Sequence, residues 1–323
     1  MPPFEISNTI IDSIADISEL IGRLSATNQL SESPTLRRNN RIRTIHGSLA
    51  IEQNSLSLEQ VTAILNGKRV LAPPRDIAEV KNAYEIYEKL DELNPYSMED
   101  ILTAHKIMTR GLLEESGNFR SQSIGIVDQE GHILHLGAMP QYVPALVSEL
   151  LDWVKNSNVH MLVKSCVFHY EFEYIHPFAD GNGRVGRLWH TLLLSRWNPA
   201  FVWLSVESII HDRQEEYYAA INISNGRGES TFFIEFMLSA IKASLIDAIN
   251  MSDEMSDAPL DKADMRRKQI EKYLEIHPFV MNKDVRKLCS VSAPTANRIL
   301  ASLTKEGKVV KTHINGHWAY KKL

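Results

Sequence analysis

Apolar residues recur at helical spacing along most of this 323-residue chain before Met251. In the first segment Ile10, Ile14, Ile17 and Ile21 follow one another at steps of three and four, which places them on one face of an amphipathic helix. We expect that face to pack on the core of the protein itself. Since similar patterns follow in later segments, the sequence predicts a mainly α fold in which helices pack on helices.

The stretch from residue 119 to 138 departs from this helical pattern. Ile124 and Ile126 precede a turn sequence, Asp128–Gly131, and the run Ile133–Leu136 follows it. Short runs rich in β-branched residues around a turn that contains Gly are typical of a β-hairpin. The sequence therefore predicts one hairpin within an otherwise helical core.

The last part of the chain differs in charge and in pattern. Residues 262–323 carry 14 basic and 5 acidic side chains, a net charge of +9, whereas the rest of the chain carries 21 and 35, a net charge of −14. Three helical segments are followed by two alternating runs around Asn315-Gly316, a dipeptide typical of hairpin turns. This order predicts a small winged-helix (α+β) domain. We divide the chain into a helical region at 1–95, a core at 96–250, an acidic linker at 251–262 and the winged-helix domain at 263–323.

Composition excludes several classes of protein. The two cysteines, Cys166 and Cys289, are too few for a disulfide framework or a multi-thiolate zinc site. No basic residue occurs before Arg23, so a basic leader region is missing, and no apolar stretch is long enough to span a bilayer. We therefore expect a cytoplasmic protein with no membrane segment.

One segment has the features of a phosphate-binding loop. Residues 176–187 read His-Pro-Phe-Ala-Asp-Gly-Asn-Gly-Arg-Val-Gly-Arg, and helical periodicity precedes and follows them. Gly181 and Gly183 permit close approach of the backbone, and N–H groups at the start of the following helix attract anions. Arg184 and Arg187 lie three positions apart on neighbouring points of one helical face, where both can bind phosphate oxygens.

Two further residues of the loop carry chemistry. Asp180 supplies a hard oxygen ligand for Mg²⁺, which usually binds one or two carboxylates together with substrate phosphates. His176 is a side chain that accepts a proton near neutral pH. The chain also holds a control, because the segment 277–279 repeats His-Pro-Phe without the glycines and arginines. We interpret that copy as structural.

The complete set resembles the signature of the Fic family, His-x-Phe-x-Asp/Glu-Gly-Asn-Gly-Arg-x-x-Arg, and matches it at every specified position. The resemblance extends over roughly residues 40–245. It includes Gly117–Arg120 before the hairpin, which resembles the family's flap, and the later segments 217–221 and 231–234. It implies an all-helical core with a hairpin flap, and an enzyme that transfers AMP from ATP to a Ser, Thr or Tyr hydroxyl of a target protein.

The resemblance also implies roles for individual residues. His176 is the base, and Asp180 holds Mg²⁺ between two phosphates of ATP. Seven residues contact the nucleotide: Gly181, Asn182 and Gly183 around the phosphates, Arg184 and Arg187 at the phosphate tail, and Tyr218 and Asn225 at the adenine.

A second motif lies before the core. The segment 48–54, Ser-Leu-Ala-Ile-Glu-Gln-Asn, resembles the family's inhibitory motif, Ser/Thr-x-x-x-Glu-Gly/Asn. Ser48 and Glu52 lie on one helical face. The resemblance implies that Glu52 pairs with Arg187 and competes with the γ-phosphate of ATP. Gln53 departs from the pattern, because Gly or Asn is usual at that position.

Two other functions remain open from the sequence. One is an ATP-sensing regulator that binds DNA through the third helix of the C-terminal domain, where Thr295, Asn297 and Arg298 could face a major groove. The other is an enzyme that removes AMP from a modified protein with the same loop and Glu52. The target protein and the oligomeric state, a homodimer included, are also left open.

Overall fold

The computed structural model describes residues 3–27, 33–127, 133–257, 262–314 and 317–322. The chain divides into two compact units, Met1–Ser252 and Asp253–Leu323. Each unit has its own apolar core. The first unit is mainly helical, which confirms the predicted fold class. None of the helices in the described ranges is both long and apolar enough to cross a membrane.

Short connections join the helices of the first unit. Helix α2 shows how such a helix begins: the side chain of Ser33 accepts a hydrogen bond from Leu36 N at 3.2 Å, and Pro34 occupies the first turn. Within the described residues the helices are α1 (Asn8–Thr27), α2 (Pro34–Ile51), α3 (Leu58–Leu65), α4 (Pro74–Glu88), α5 (Met98–Met108), α6 (Val143–Asn156), α7 (Met161–Ile175), α8 (Asn182–Trp197), α9 (Val206–Asp212), α10 (Gln214–Arg227) and α11 (Thr231–Asp257). Three 3₁₀ turns lie at Leu90–Glu92, Pro140–Tyr142 and Pro199–Trp203.

Helices α7 and α8 form the centre of the first unit and pack against each other. Both are buried on nearly all sides, as expected of helices whose apolar residues do not form a single stripe. Phe168 and Phe172 of α7 and Trp189 of α8 are fully buried. The loop between the two helices is therefore anchored at both ends in the core.

The apolar face of α1 packs on this same unit, as predicted. Ile10, Ile17 and Ile21 are buried in one cluster with residues of α7 and α11. Ile14 is partly buried against that cluster. The first helix is thus part of the core, although the family resemblance begins only after it.

The predicted hairpin is present. Strands β1 (Gly125–Val127) and β2 (Ile133–Leu136) pair antiparallel, and the register shifts by one residue between Ile126 and Val127. The turn predicted at Asp128–Gly131 lies outside the described residues. Arg120 N donates to Pro177 O at 3.0 Å, so the chain just before the hairpin lies beside the α7–α8 loop.

From Lys262 onward, the described residues of the second unit form three helices and a small sheet. Its elements are α12 (Lys262–Ile276), β3 (Val280–Met281), α13 (Asn282–Cys289), α14 (Ala293–Lys305), β4 (Val309–Ile314) and β5 (His317–Lys322). The sheet is antiparallel in the order β3-β5-β4. The three helices and the hairpin agree with the sequence prediction, whereas β3 has two residues and is too short to show an alternating pattern. The turn Asn315-Gly316 lies outside the described residues, and assignment as a winged helix stays a prediction.

The segment predicted as an acidic linker, 251–262, contains the boundary between the two units, but it is helical rather than a loop up to Asp257. Helix α11 continues to Asp257, and only residues 258–261 lie outside the described part of this segment. The acidic composition suggested a loop, but residues 251–257 contain no Gly or Pro and include Met and Glu, which are good helix formers. Pro259 comes only afterwards, and the residue before a proline disfavours helical backbone.

Candidate active site

Backbone conformation at two points shapes the loop between α7 and α8. His176 follows the last residue of α7 in the left-handed region, with a φ of 52°, and Gly181 precedes α8 with a φ of 87°. Left-handed backbone costs a residue with a side chain about 1–2 kcal/mol. His176 therefore holds a strained conformation that the surrounding contacts must stabilise.

Asn182 closes this loop from the inside. Its Oδ1 accepts from Phe178 N at 2.8 Å, and its Nδ2 donates to Phe178 O at 2.9 Å. Both side chains are buried. The side-chain amide of Asn182 therefore maintains the loop. The groups of this segment that can bind an anion are therefore the first backbone N–H groups of α8, which have no acceptor within the helix.

His105 of α5 packs against the loop and forms a hydrogen bond with it, and the sequence did not predict this residue as part of the site. Its ring stacks on Phe178, with centroids 3.7 Å apart and planes 1° from parallel. Its Nδ1 accepts from Gly117 N at 3.0 Å, so Nε2 carries the proton and donates to Asp180 O at 3.0 Å. Burial lowers the pKa of His105 to about 4, and the ring stays neutral near pH 7. A single His in a helical segment has the same sequence pattern as a buried core residue, so the sequence does not mark His105 as part of the site.

Arg120 joins the base of the hairpin to the same loop. Its buried side chain donates from Nε to His176 O at 2.7 Å and from Nη2 to Ala138 O. It also donates from Nη1 to Gln122 O at 2.7 Å. One guanidinium thus satisfies carbonyl groups before the hairpin, after it and in the loop. The sequence placed Arg120 in a flap motif but gave no sign of this contact.

The orientation of His176 fixes which of its nitrogens can accept a proton. Nδ1 lies 3.2 Å from Glu173 O, and because a carbonyl oxygen only accepts, Nδ1 carries the proton. Nε2 therefore carries the lone pair. Oε2 of Glu173 lies 3.8 Å from the same Nδ1. Burial raises the pKa of Glu173 to about 8, so this side chain is mainly protonated at pH 7.

Arg187 is held by the end of α2. It donates from Nη2 to Glu52 Oε1 at 2.7 Å and to Ser48 O at 2.9 Å, and from Nε to Ser48 Oγ at 3.2 Å. Arg187 is 2% exposed and Glu52 is 33% exposed. Burial alone would lower the pKa of Arg187, but the charge of Glu52 raises it above its ordinary value. The structure thus places Ser48, Glu52 and Arg187 together.

Gln53 ends α2 in a way that explains the motif. It has a φ of 65°, in the left-handed region. Gln53 N donates to Ala50 O at 3.0 Å and Asn54 N donates to Leu49 O at 3.1 Å, the two hydrogen bonds of a Schellman motif. Gly and Asn adopt this backbone most easily. Gln53 thus forms the same helix end as the usual Gly or Asn, but its left-handed backbone is energetically less favourable than theirs.

The Glu52 carboxylate also lies against the first turn of α8. A Cβ atom added to Gly183 would overlap Glu52 Oε1 and would lie 2.8 Å from Arg187 Nη1. A carboxylate is favoured at a helix N-terminus because the N–H groups and the helix dipole attract negative charge. Glu52 therefore occupies the region that the sequence analysis predicted for phosphate.

Four charged side chains form a closed ring beside the loop. Arg184 donates from Nη2 to Asp180 Oδ1 at 2.9 Å and from Nη1 to Glu79 Oε1 at 3.2 Å. Arg75 completes the ring, from Nη2 to Asp180 Oδ2 at 3.2 Å and from Nε to Glu79 Oε1 at 3.4 Å. Arg184 and Glu79 are buried, whereas Arg75 is 62% exposed. Two carboxylates thus hold Arg184, and its phosphate contact stays a prediction.

Asp180 has the chemistry that Mg²⁺ requires. Its carboxylate is 37% exposed, and one oxygen faces the exposed Arg75. Within the described ranges, no group of three or more His, Cys, Asp or Glu side chains could hold a metal ion. Mg²⁺ usually takes one or two carboxylates and completes its shell with phosphates and water. The donor set fits an ion that binds together with a nucleotide once Arg75 moves away.

The two predicted adenine contacts lie on α10. Tyr218 is 44% exposed and its ring lies beside Tyr217. Asn225 follows seven residues later on the same helical face and accepts from Tyr170 OH through Oδ1 at 2.8 Å. The structure places both residues on one side of the helix, and their role stays a prediction.

Comparison with known proteins identifies relatives of this site and fold. The model of the Fic/DOC family matches residues 95–194. The crystal structure of a Fic family protein from Desulfovibrio desulfuricans G20 has a TM-score of 0.77 and 39% identity, and the match covers 100% of this chain and 98% of that one. A Fic-1 structure from Caenorhabditis elegans, with 23% identity and a TM-score of 0.60, shares the fold over 76% of each chain.

Curated relatives match over shorter stretches. Protein adenylyltransferase fic-1 of Caenorhabditis elegans is 28% identical over 255 residues, which are 74% of this chain and 48% of that protein. A probable protein adenylyltransferase of Aquifex aeolicus is 30% identical over 145 residues, or 44% and 43% of the two proteins. The chain spans less than half the length of these relatives. The match along the whole length of the Desulfovibrio protein, together with the loop at 176–187, shows that this chain belongs to the Fic family.

Proposed function

We propose that this protein transfers AMP from ATP to a hydroxyl group of a target protein. The observation that carries the proposal is the segment from His176 to Arg187, a loop that leads into the first turns of α8. It brings a proton acceptor, an exposed carboxylate and a helix N-terminus onto one short segment. The names of two relatives, protein adenylyltransferase fic-1 of Caenorhabditis elegans and a probable protein adenylyltransferase of Aquifex aeolicus, support the same reaction.

In the proposed reaction, a Ser, Thr or Tyr hydroxyl of the target attacks the α-phosphorus of ATP. Nε2 of His176 accepts the hydroxyl proton while the new oxygen–phosphorus bond forms. The bond from the α-phosphorus to the oxygen that bridges to the β-phosphate breaks, and pyrophosphate leaves. The hydrogen bond from Nδ1 to Glu173 O orients the imidazole during this step, and the bond from Arg120 to His176 O holds the backbone of the same residue.

The phosphates of ATP would bind at the place that the Glu52 carboxylate occupies in this structure. The first N–H groups of α8 and the guanidinium of Arg187 offer donors to phosphate oxygens. Asp180 would hold Mg²⁺, which when bound neutralises charge that develops on the phosphates. For this, Arg75 must leave Asp180, which its exposure allows because an exposed ion pair stabilises by at most about 1 kcal/mol.

We further propose that Glu52 inhibits the reaction from within the chain. Its carboxylate pairs with Arg187 and lies at the N-terminus of α8, so a phosphate cannot take that place until Glu52 leaves. Replacement with Gly removes the charge and the bulk. In the alternative function, the same carboxylate orients a water molecule that hydrolyses the bond between AMP and a modified target. The same site would then remove AMP rather than transfer it.

Labelled ATP tests the chemistry. Glu52→Gly is incubated with a cell lysate and with ATP labelled at either the α- or the γ-phosphate. Labelling of protein from α-labelled ATP alone supports AMP transfer, and transfer of the γ-label would instead indicate a kinase. In a second assay, wild-type protein is incubated with a target that already carries labelled AMP. Release of the label would favour the function in which the protein removes AMP. No protein label from either nucleotide would contradict the proposal.

DNA binding by the second unit is a separate candidate function, favoured by its charge. Arg298 on α14 and Lys311 on β4 are both exposed, and Lys311 lies over the ring of Trp318 at 4.1 Å. Phosphate contacts of this kind make binding weaker as salt rises. A gel shift of the full chain that weakens with salt and with Arg298→Ala, and that persists in His176→Ala, would support DNA binding. No shift at low salt would exclude it.

A further inference from the structure

Three arginines of helix α2 line a cleft on the first unit, at the opposite end of the helix from Ser48. The sequence already shows a cluster of arginines in the first half of this helix. In the structure, Arg37, Arg38 and Arg41 border a cavity of about 290 Å³. Its remaining lining is apolar or aromatic apart from Glu88, and includes Leu65, Tyr84 and Trp203 among others.

Arg41 is the deepest of the three. It is 5% exposed, and its Nε and Nη1 are buried without a hydrogen-bond partner within the described part of the chain. Glu88 Oε1 forms an ion pair with Arg41 at 3.7 Å from Nε, a distance longer than a hydrogen bond. A buried guanidinium with unpaired donors is costly, and a bound anion would satisfy them. Burial lowers the pKa of Arg41, in agreement with this incomplete pairing.

Among the described residues, neither Arg37 nor Arg38 forms an ion pair with a carboxylate. Arg37 is partly buried, its Nε has no hydrogen-bond partner among the described residues, and its guanidinium lies 5.1 Å from the centroid of the Trp203 ring. Arg38 donates to a neutral group, Asn66 Oδ1, at 2.7 Å. Arg43, on another face of α2, contrasts with them because it forms an ion pair with Asp247 at 2.7 Å. Positive charge therefore exceeds negative charge in the cleft.

Stacking on aromatic rings explains part of this arrangement. The guanidinium of Arg41 lies 5.0 Å from the Trp203 centroid and 5.3 Å from that of Tyr87. Such contacts use the face of a guanidinium. Nε and Nη1 at the edge of Arg41 stay unpaired within the described residues but are buried, so an anion reaches them only when the side chains that line the cleft shift. Three arginine side chains thus border one cavity whose remaining lining is mainly apolar. Arginine donors of this kind suit phosphate oxygens.

We propose that this cleft binds a small organic phosphate, with the phosphate on Arg37, Arg38 and Arg41 and the organic part against Tyr84 and Leu65. The volume lies at the lower end of the range for small-molecule sites. The site is separate from the loop at 176–187, and the inference does not depend on AMP transfer. It concerns arginines that the proposed reaction does not use.

Isothermal titration tests this site with two probes, inorganic phosphate and phenyl phosphate. We expect both to bind, and phenyl phosphate to bind tighter because it also buries apolar surface. Arg37→Ala/Arg38→Ala weakens binding by about tenfold or more, since two charged donors are lost. These two side chains are not fully buried, so the variant is expected to fold even if a change at Arg41 were not tolerated.

Two further variants separate the cleft from other sites. Arg187→Ala removes a phosphate donor of the candidate active site and should leave the affinity of phenyl phosphate unchanged. Arg23→Ala removes an exposed charge of α1 and controls for a general electrostatic effect. Absence of binding to wild type overturns the proposal. So does binding that survives the double variant or that disappears in Arg187→Ala.

Discussion

At the scale of single residues, the candidate site depends on contacts between groups far apart in the chain. Glu52 and Arg187 are separated by 135 positions, and Glu79 and Arg184 by 105. The first contact could be predicted, because two recognisable motifs share it. The second could not, because Glu79 stands in an ordinary helical segment with no motif. Only the fold brings it to the loop.

The charge ring predicts how the site handles Mg²⁺. Glu79→Gln leaves Arg75 and Arg184 beside Asp180 with one negative charge fewer. We expect the Mg²⁺ concentration for half-maximal activity to rise about threefold to tenfold in the Glu52→Gly background, from a change on the order of 1 kcal/mol. Arg75→Gln removes a positive charge and should lower that concentration. A Mg²⁺ titration of AMP transfer checks both, and shifts in the same direction would refute the electrostatic explanation.

Glu173 predicts a dependence of stability on pH. Its pKa is raised by burial from 4.5 to about 8, so the folded state holds a proton that the unfolded state releases between these values. Its contribution to stability is complete below the lower pH and is lost as pH rises through the higher one. Glu173→Gln stays neutral, so the free energy of unfolding of the variant relative to wild type should rise by more than about 1 kcal/mol from pH 5 to 8.

Denaturant unfolding at several pH values gives this difference directly. Buried His105 and His190, whose pKa values are lowered by burial to about 4 and about 3, act in the opposite sense below neutral pH. They are present in both proteins and cancel in the comparison. A difference that stays constant with pH would show that Glu173 is ionised in the folded protein.

At the scale of secondary-structure elements, α2 carries two separate features. Its first half lines the arginine cleft, and its last turn delivers Ser48 and Glu52 to Arg187. The Schellman motif at Gln53 ends the helix directly before Glu52 and so fixes the backbone position of that residue. The position of one carboxylate therefore depends on how the helix ends.

Gln53→Gly tests that dependence. Gly adopts the left-handed backbone without the penalty of a side chain, although it costs more entropy on folding. The net expectation is a gain of about 0.5–1 kcal/mol in the free energy of unfolding, measured in urea. Gln53→Ala is the matched control and should show no such gain. A loss of stability in the Gly variant would mean that the Gln53 side chain itself stabilises the helix end.

Sequence reasoning succeeded for elements whose signal is local and failed where it is not. The helices, the hairpin at 124–136 and the loop at 176–187 follow from periodicity, turn residues and a dense motif. The end of α11 was misplaced because acidic composition was given more weight than the absence of Gly or Pro up to Asp257. Arg120 and His105 were missed because their value lies in carbonyl and ring partners that only tertiary packing supplies.

At the scale of the whole molecule, the proposed AMP transfer and its proposed inhibition by Glu52 connect these features. The central helices α7 and α8 hold a strained, fully anchored loop, and α2 places a carboxylate where a phosphate would bind. The second unit adds a basic module with its own core. The residues of the proposed reaction and of its proposed inhibition lie in the first unit.

The most direct test is intact-mass spectrometry after incubation with ATP and Mg²⁺. Wild type, Glu52→Gly and Glu52→Gly/His176→Ala are compared under identical conditions, with circular dichroism to confirm that each is folded. We predict that Glu52→Gly alone gains the mass of one or more AMP groups on its own side chains. The wild type should stay unmodified because Glu52 holds Arg187, and the double variant because it lacks the base. AMP on the wild type to the same extent, or on the double variant, would contradict the account.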